Sequence, residues 1–212
     1  MKVIDLTHTI KPDMPMYPGS AQPEISTVAD YDADRYRESL LSVFSHTGTH
    51  MDAPAHIIPG GTALDLVEPS SFIGTAAVID CSGPDGGKIE SAFLERYKKV
   101  LESVDFVLFY TGHSRLWGSG KYYEPYPYLS EEAARLIVSA GIKGVGIDTF
   151  SVDPMDPPSL SAHRVLLSAG VLIIENLNNL DLIKDQIFEF YALPLKYENA
   201  DGAPVRAVAV MR

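Results

Sequence analysis

The chain has 212 residues, of which 46% are apolar, and a formal net charge of −11 at pH 7. Its length and apolar fraction are sufficient for one hydrophobic core, so we expect a single domain spanning residues 1–212. The sequence contains no Lys- or Arg-rich stripe, no apolar run of about 20 residues and no secretory-signal pattern, which argues against nucleic acid and membrane partners and predicts a cytoplasmic protein.

Apolar, β-branched runs predict strands over residues 3–6, 76–81, 106–110, 145–147, 171–174 and 207–210. Helical patterns with capping residues predict helices over residues 89–104, between Ser130 and Gly141, and over residues 162–169. Helices and strands alternate from residue 89 onward, which favours right-handed crossovers and a parallel central sheet. Prolines keep the elements before residue 75 short. We therefore expect an α/β domain with a mixed, partly parallel sheet.

The stretch HTGTHMDAPAH, which begins at His46, contains three of the six histidines. On a regular helix Asp52 would point away from His46 and His50, and Gly48 and Pro54 disfavour a helix. On a flat strand these three polar side chains share a face, but four extended residues span about 13 Å, too far for ligands of one ion. A strand end that bends at Gly48 would bring the three side chains together.

Two imidazoles and a carboxylate suit Zn²⁺, with Mn²⁺ and Fe²⁺ as alternatives, and three protein ligands leave a coordination position for water. The competing interpretation is a polar loop whose histidines bond backbone carbonyls. Further ligands are expected at the carboxyl ends of parallel strands, where Asp148, His113 and Glu175 stand, with His163 nearby in the last predicted helix. Glu175 closes the apolar run VLIIE, where a buried carboxylate needs a cation or a fixed donor.

Four motifs occur in order: HxGTHxDAPxH from His46, GIDTFSVDP from Gly146, SAHRVLL from Ser161 and GVLIIENLNNL from Gly170. In these motifs, and over nearly its whole length, the chain resembles the cyclase family of metal-dependent hydrolases, which contains the bacterial kynurenine formamidases and the isatin hydrolases. The resemblance implies a swivelling β/β/α fold, a homodimer or homotetramer, and a centre of two Zn²⁺ ions, with Mn²⁺ as the alternative found in isatin hydrolases.

The resemblance also assigns the metal ligands. They fall on His46, His50, Asp52, His163 and Glu175. His46 and His50 would bind one ion and His163 the other, whereas the two carboxylates would contact both.

In the same scheme His56, which the turn at Pro54 separates from the ligands, would be the general acid/base. Asp148 and His113 are not ligands in the family. We expect Asp148 to support the site or the fold, and His113 to be a loop residue.

The implied reaction is hydrolysis of an aryl formamide or similar amide by metal-activated water, with N-formylkynurenine giving kynurenine and formate in tryptophan catabolism. The formamidases carry a tryptophan where this chain has Tyr17, so we expect Tyr17 either to contact the substrate or only to pack between prolines. Trp117 and Arg115 are further candidates for substrate contacts. Two alternatives stay open: hydrolysis of another cyclic or aryl amide such as isatin, and a non-catalytic metal-binding oligomer.

Overall fold

The structure is a computed structural model that describes residues 1–83, 87–155, 160–184 and 186–211. Twelve strands lie within these residues: β1 (Lys2–Asp5), β2 (Glu24–Ala29), β3 (Glu38–Ser42), β4 (His50–Asp52), β5 (Ile73–Asp80), β6 (Lys88–Ile89), β7 (Phe106–Tyr110), β8 (Tyr128–Leu129), β9 (Gly144–Ile147), β10 (Leu172–Glu175), β11 (Ile187–Pro194) and β12 (Gly202–Met211). The same described residues contain five α-helices: α1 (Tyr31–Asp34), α2 (Ser91–Leu94), α3 (Lys98–Leu101), α4 (Glu131–Ser139) and α5 (Ser161–Ser168).

Within the described chain, eight strands form one mixed sheet in the order β1-β12-β11-β5-β7-β9-β10-β4. The central strands β5, β7, β9 and β10 run parallel, and the other neighbours pair antiparallel. Because β4 pairs with both β10 and β12, the sheet closes into a barrel. The prediction of an α/β domain with a mixed, partly parallel sheet is confirmed. The sequence did not predict that this sheet closes into a barrel.

The central strand β7 is covered on both faces. Its residues Phe106, Leu108 and Tyr110 pack inside the barrel, in a cluster shared with β4, β11 and β12. The intervening Val107 and Phe109 pack in a second cluster, beneath α2 to α5. Each of these five side chains is at most 1% exposed. A parallel strand buried on both sides reads as a continuous apolar run, which is why FVLFY predicts it correctly.

The helix predicted over residues 89–104 is wrong as a single element. The chain forms α2, then a 3₁₀ turn over Glu95–Tyr97, then α3. Tyr97 has φ −105° and ψ 10°, outside the helical region, so the ladder of hydrogen bonds is interrupted there. The apolar spacing still serves the core, because Leu94 and Leu101 are both buried beneath the helices.

The other two predicted helices, α4 and α5, are confirmed with small differences at their ends. Ser130 caps α4, since its hydroxyl accepts a hydrogen bond from the backbone N–H of Ala133 at 2.9 Å. Gly141 and Gly170 follow the two helices with φ of +78° and +77°, where glycine is unstrained. The two glycines that the sequence predicts as stop signals therefore do end both helices.

The part before residue 75 consists mainly of short strands and turns, as predicted, and also contains the one-turn helix α1. Strands β2 and β3 form an antiparallel hairpin apart from the barrel. Four apolar side chains of this hairpin, Ile25, Val28, Leu40 and Leu41, are 43–60% exposed. Across the described ranges, every helix is too short or too polar to span a bilayer.

Candidate metal centre

The segment that precedes β4 bends where the sequence predicts. Gly48 has φ +64°, in the left-handed region that favours glycine. The bend lets His46, which precedes β4, approach Asp52, which ends it, so that His46 Nδ1 lies 2.7 Å from Asp52 Oδ1. Strand β4 is held by β10 on one side and β12 on the other, which makes this segment part of the barrel wall.

His50, in β4, is oriented by its own loop. Its Nδ1 lies 2.8 Å from the carbonyl oxygen of Gly48. A carbonyl only accepts, so Nδ1 carries the proton and donates it. The other nitrogen, Nε2, faces two carboxylates, at 3.3 Å from Asp52 Oδ1 and 3.4 Å from Glu175 Oε2. His50 therefore offers its Nε2 lone pair to an ion.

His163, in α5, is held in the same manner by a carboxylate. Its Nδ1 lies 2.7 Å from Asp153 Oδ2, and Asp153 also accepts the backbone N–H groups of Ala162 and His163, both at 2.9 Å. Its Nε2 lies 3.4 Å from both Asp52 Oδ2 and Glu175 Oε1. An outer partner that fixes the ring and leaves one nitrogen free is typical of metal-binding histidines.

Asp52 and Glu175 lie between the imidazoles, at 1% and 5% exposure. Glu175 Oε1 accepts a hydrogen bond from the backbone N–H of Val152 at 3.0 Å. Asp52 Oδ2 makes no well-formed hydrogen bond with a described residue, which is costly for a buried carboxylate oxygen. Ligand atoms of His50, Asp52 and Glu175 lie within 4.8 Å of one another. This donor set fits a divalent metal such as Zn²⁺ or Mn²⁺.

The electrostatics of the centre favour positive charge. Burial disfavours protonation of His50 and His163, but neighbouring carboxylates raise the pKa of each ring to about 10. Asp52 and Glu175 act on both rings, and Asp153 acts on His163 as well. Burial likewise disfavours the ionised form of Asp52, yet the surrounding imidazoles, His46 first, hold its pKa well below the usual value. A metal ion bound here would replace the proton on each Nε2 and supply the positive charge that these carboxylates attract.

His56 stands beside the ligand cluster. It ends the 3₁₀ turn Pro54–His56, and its ring centroid lies 4.0 Å from that of His46 and 6.0 Å from that of His163. Burial lowers the pKa of His56, so its imidazole is neutral at physiological pH. A neutral ring in this position is able to accept a proton.

A cavity of about 380 Å³ opens onto His56 and the ligand cluster. Tyr17, Phe44 and Phe150 line it. The rings of Tyr17 and Phe150 meet edge-on, with centroids 6.1 Å apart. Tyr17, expected either to contact the substrate or only to pack between prolines, therefore shares a cavity with the predicted acid/base.

Two further candidates lie outside the described lining of this cavity. Trp117 stacks on the ring of His8, with centroids 3.9 Å apart and planes inclined by 7°. Arg115 is exposed and pairs with Asp181 at 3.3 Å. Neither residue faces the space beside His56.

Asp148 supports the fold, one of the two roles expected for it. It is fully buried and accepts hydrogen bonds from the turn after β7, namely from the backbone and hydroxyl of Thr111, the backbone of Gly112 and the hydroxyl of Ser114. His113 lies in the same turn, and its Nε2 is 3.0 Å from the carbonyl oxygen of Tyr122.

Two carboxylates of the centre were not predicted. Asp153 lies in the motif GIDTFSVDP, and its position shortly before the helix that carries His163 is a signal that could have found it. Asp201 Oδ2 lies 3.0 Å from His46 Nε2, although 155 residues separate the two in sequence. Asp201 opens the stretch DGAPVRAVAV, which belongs to the family resemblance, but the stretch does not indicate a contact with His46, because that contact depends on the pairing of β12 with β4.

The Cyclase family profile matches residues 4–154. The kynurenine formamidase of Bacillus thuringiensis (strain Al Hakam) is 34% identical over 209 residues, covering 97% of this chain and 95% of the relative. Isatin hydrolase A from Labrenzia aggregata, bound to benzyl benzoate, superposes with a TM-score of 0.86 at 28% identity, covering 98% of this chain and 93% of its own. A structure described as a potential metal-dependent hydrolase with cyclase activity has a TM-score of 0.81 at 30% identity, covering 98% and 96%. The chain therefore belongs to the Cyclase family.

Proposed function

We propose that this protein is a metal-dependent hydrolase of aryl formamides, with N-formylkynurenine, an intermediate of tryptophan catabolism, as its substrate. The observation that carries the proposal is the buried cluster in which Asp52 and Glu175 lie between the rings of His50 and His163. The Nδ1 atom of each ring is hydrogen-bonded outside the cluster, which leaves Nε2 for a metal ion. The 34% identity to a relative named kynurenine formamidase supports the substrate. The products are kynurenine and formate.

The proposed centre binds two Zn²⁺ ions per chain, with Mn²⁺ as the alternative. In this arrangement His46 and His50 would hold one ion and His163 the other, with Asp52 and Glu175 shared between them. Imidazole nitrogens and carboxylate oxygens are ligands that both metals accept. Such ions, when bound, polarise a carbonyl group and lower the pKa of water.

His56 is the proposed general acid/base. Its neutral ring borders the cavity beside the ligands, and its lowered pKa keeps it ready to accept a proton at an imidazole nitrogen. It would take this proton from the attacking water and return one to the departing amine nitrogen. Ligand atoms of His56, His46 and Asp52 also lie within 4.8 Å of one another. The proposal nevertheless assigns ligation to the other five side chains and leaves His56 to exchange protons.

The substrate is proposed to lie in the cavity with its aromatic ring against Tyr17. The cavity volume, about 380 Å³, is of the size that small-molecule sites have. Aromatic side chains from separate segments, Phe44 and Phe150, add flat apolar surface opposite the polar cluster. An aryl amide matches this cavity, because its aromatic ring is apolar and its amide group is polar.

Metal analysis and a substrate panel test the proposal together. Metal per chain is measured after purification without chelator, and turnover is then measured on N-formylkynurenine, other aryl formamides and isatin. We expect two equivalents of metal and the highest kcat/KM on N-formylkynurenine. A single equivalent would count against the shared roles of Asp52 and Glu175.

The same panel separates the alternatives. Structural similarity at 28% identity to an isatin hydrolase makes hydrolysis of a cyclic amide the second candidate, and the highest kcat/KM on isatin would favour it. Bound metal without turnover on any compound would favour a non-catalytic metal-binding oligomer.

A homodimer or homotetramer is proposed as the working form, with the β2–β3 hairpin in the interface. An exposed apolar surface such as that of Ile25, Val28, Leu40 and Leu41 is typical of protein contacts. Sedimentation analysis should find the wild type larger than one chain and the double variant Leu40→Asp, Leu41→Asp smaller. Equal sizes would remove the hairpin from the interface.

Three proposals rest on the sequence and the family resemblance alone. The barrel is of the swivelling β/β/α type, the protein acts in the cytoplasm, and neither nucleic acid nor membrane is among its partners.

A further inference from the structure

Asp201 and Asp52 engage opposite nitrogens of the same imidazole. Asp201 Oδ2 lies 3.0 Å from His46 Nε2, and Asp52 Oδ1 lies 2.7 Å from His46 Nδ1. Asp52 is buried, whereas the side chain of Asp201 is 43% exposed. The ring of His46 is therefore held between a carboxylate inside the centre and one at its rim.

The ring of His46 packs directly against the backbone of Gly202, the residue that follows Asp201. A Cβ built on Gly202 would come within 2.5 Å of His46 Cε1 and within 2.9 Å of both ring nitrogens. Real Cβ atoms do not approach other atoms so closely, so any larger residue here would displace the imidazole. The absence of a side chain at Gly202 is thus needed for the observed position of His46.

The backbone around Asp201 is tied to the ligand-bearing strand. The backbone N–H of Ala53 donates to the carbonyl oxygen of Asp201 at 2.9 Å, and Gly202 stands opposite Asp52 in the ladder between β12 and β4. The Tyr197 hydroxyl donates to the carbonyl oxygen of Gly202 at 2.5 Å. These bonds determine where the Asp201 carboxylate lies relative to the centre.

We propose that Asp201 is a positioning residue for the metal centre. Its carboxylate accepts the proton of His46 Nε2 and thereby presents His46 Nδ1 to a metal ion beside Asp52, while Gly202 leaves room for the ring. This arrangement completes a set, because His50 and His163 also have an outer acceptor each. His46 differs from them in binding through Nδ1. The inference rests on the proposed metal centre.

The test compares zinc binding by the whole protein carrying Asp201→Ala, Asp201→Asn or Glu198→Ala. Glu198 is an exposed carboxylate three residues away and serves as the charge-matched control. Zinc per chain and the apparent affinity of each site are measured by competition with a chromogenic chelator. We expect Asp201→Ala to weaken one site about 10- to 100-fold, Asp201→Asn, which retains an acceptor oxygen, to lose less, and Glu198→Ala to match the wild type.

Two further measurements make the role specific. Gly202→Ala should weaken the same site even though Asp201 is intact, and nitrogen NMR of the zinc-loaded wild type should show His46 protonated at Nε2 and metal-bound at Nδ1. Wild-type affinity in Asp201→Ala, or metal at Nε2 of His46, would overturn the inference alone. A wild type that binds no zinc would overturn the proposed metal centre and this inference with it.

Discussion

His56 and His163 have ring centroids 6.0 Å apart, yet their surroundings shift their pKa values in opposite directions. His163 has Asp153 at 2.7 Å, and despite its burial its pKa rises to about 10. Among the described residues, the carboxylate oxygen closest to His56 Nδ1 belongs to Asp201, at 3.9 Å, and burial lowers the pKa of His56. The carboxylates that raise the pKa of His163 would equally attract a metal ion, whereas the neutral ring of His56 is suited to exchanging protons.

The first prediction concerns His56. Replacement by alanine, His56→Ala, removes the group that exchanges the proton, so kcat should fall about 10²- to 10⁴-fold. Metal per chain should stay at the wild-type value, because the ligand atoms come from other residues. Steady-state kinetics and metal analysis on the same preparation check both statements. Undiminished kcat would remove the proposed role, and loss of metal would make His56 a ligand.

The short strand β4 connects the local sequence to the barrel. It has three residues, yet it carries His50 and Asp52 and pairs with two neighbours. Gly48 supplies the bend before it, and the carbonyl oxygen of Gly48 accepts from both His50 Nδ1 and Asn176 Nδ2. Backbone conformation and ligand orientation therefore depend on the same residue.

The second prediction concerns this bend. At φ +64° a side chain is strained, so Gly48→Ala should lower the free energy of unfolding of the metal-free protein by about 1–2 kcal/mol and also weaken metal binding. Gly141→Ala is the matched control, because φ there is +78° and nothing lies within 4 Å of the added Cβ. Denaturant titration should find a loss of stability in both variants, the larger one in Gly48→Ala, whose Cβ would also come within 3.1 Å of Met14 Cε. Metal binding should be weaker in Gly48→Ala only. Equal metal binding in the two would contradict the role of the bend.

In the whole molecule, the proposed ligands come from distant parts of the chain. The segment at β4, helix α5 and strand β10 supply them, and the start of β12 holds His46. These elements meet where β4 closes the barrel. A metal ion bound here would connect three elements of the folded state, whereas in the unfolded chain only the neighbouring His46, His50 and Asp52 could bind it together.

The third prediction follows from this connection. An ion present at about 1,000 times its Kd stabilises the folded state by about 4 kcal/mol, which for a chain of this size raises Tm by roughly 8–16 °C. Chelation should therefore lower Tm by that amount, and added Zn²⁺ should restore it, as followed by calorimetry. In Glu175→Gln, which lacks one anionic ligand, the difference between loaded and chelated protein should shrink. An unchanged Tm on chelation would mean that the ion does not favour the folded state.

Patterns of residues close in sequence predicted many of the local elements of this fold. The buried strand FVLFY, the cap at Ser130, the stop at Gly170 and the bend at Gly48 all follow from residues within a few positions of one another, and the structure contains them. The comparisons confirm the family predicted from the motifs. The continuous helix over residues 89–104 was wrong, because apolar spacing shows which face is buried but not whether the backbone stays helical at Tyr97.

The sequence alone indicated which residue types form the centre and predicted the bend at Gly48 that brings three of them together. Ligand chemistry depends on the side chain itself, and the conformation of glycine depends on its own backbone. The closure of the barrel and the contact of Asp201 with His46 were decided by tertiary structure. Asp201 meets His46 only because β12 pairs with β4, and such pairing depends on the packing of the whole sheet. The side chain that a carboxylate such as Asp201 contacts depends on which strands are neighbours in the folded sheet, and the residues adjacent to it in sequence do not determine this.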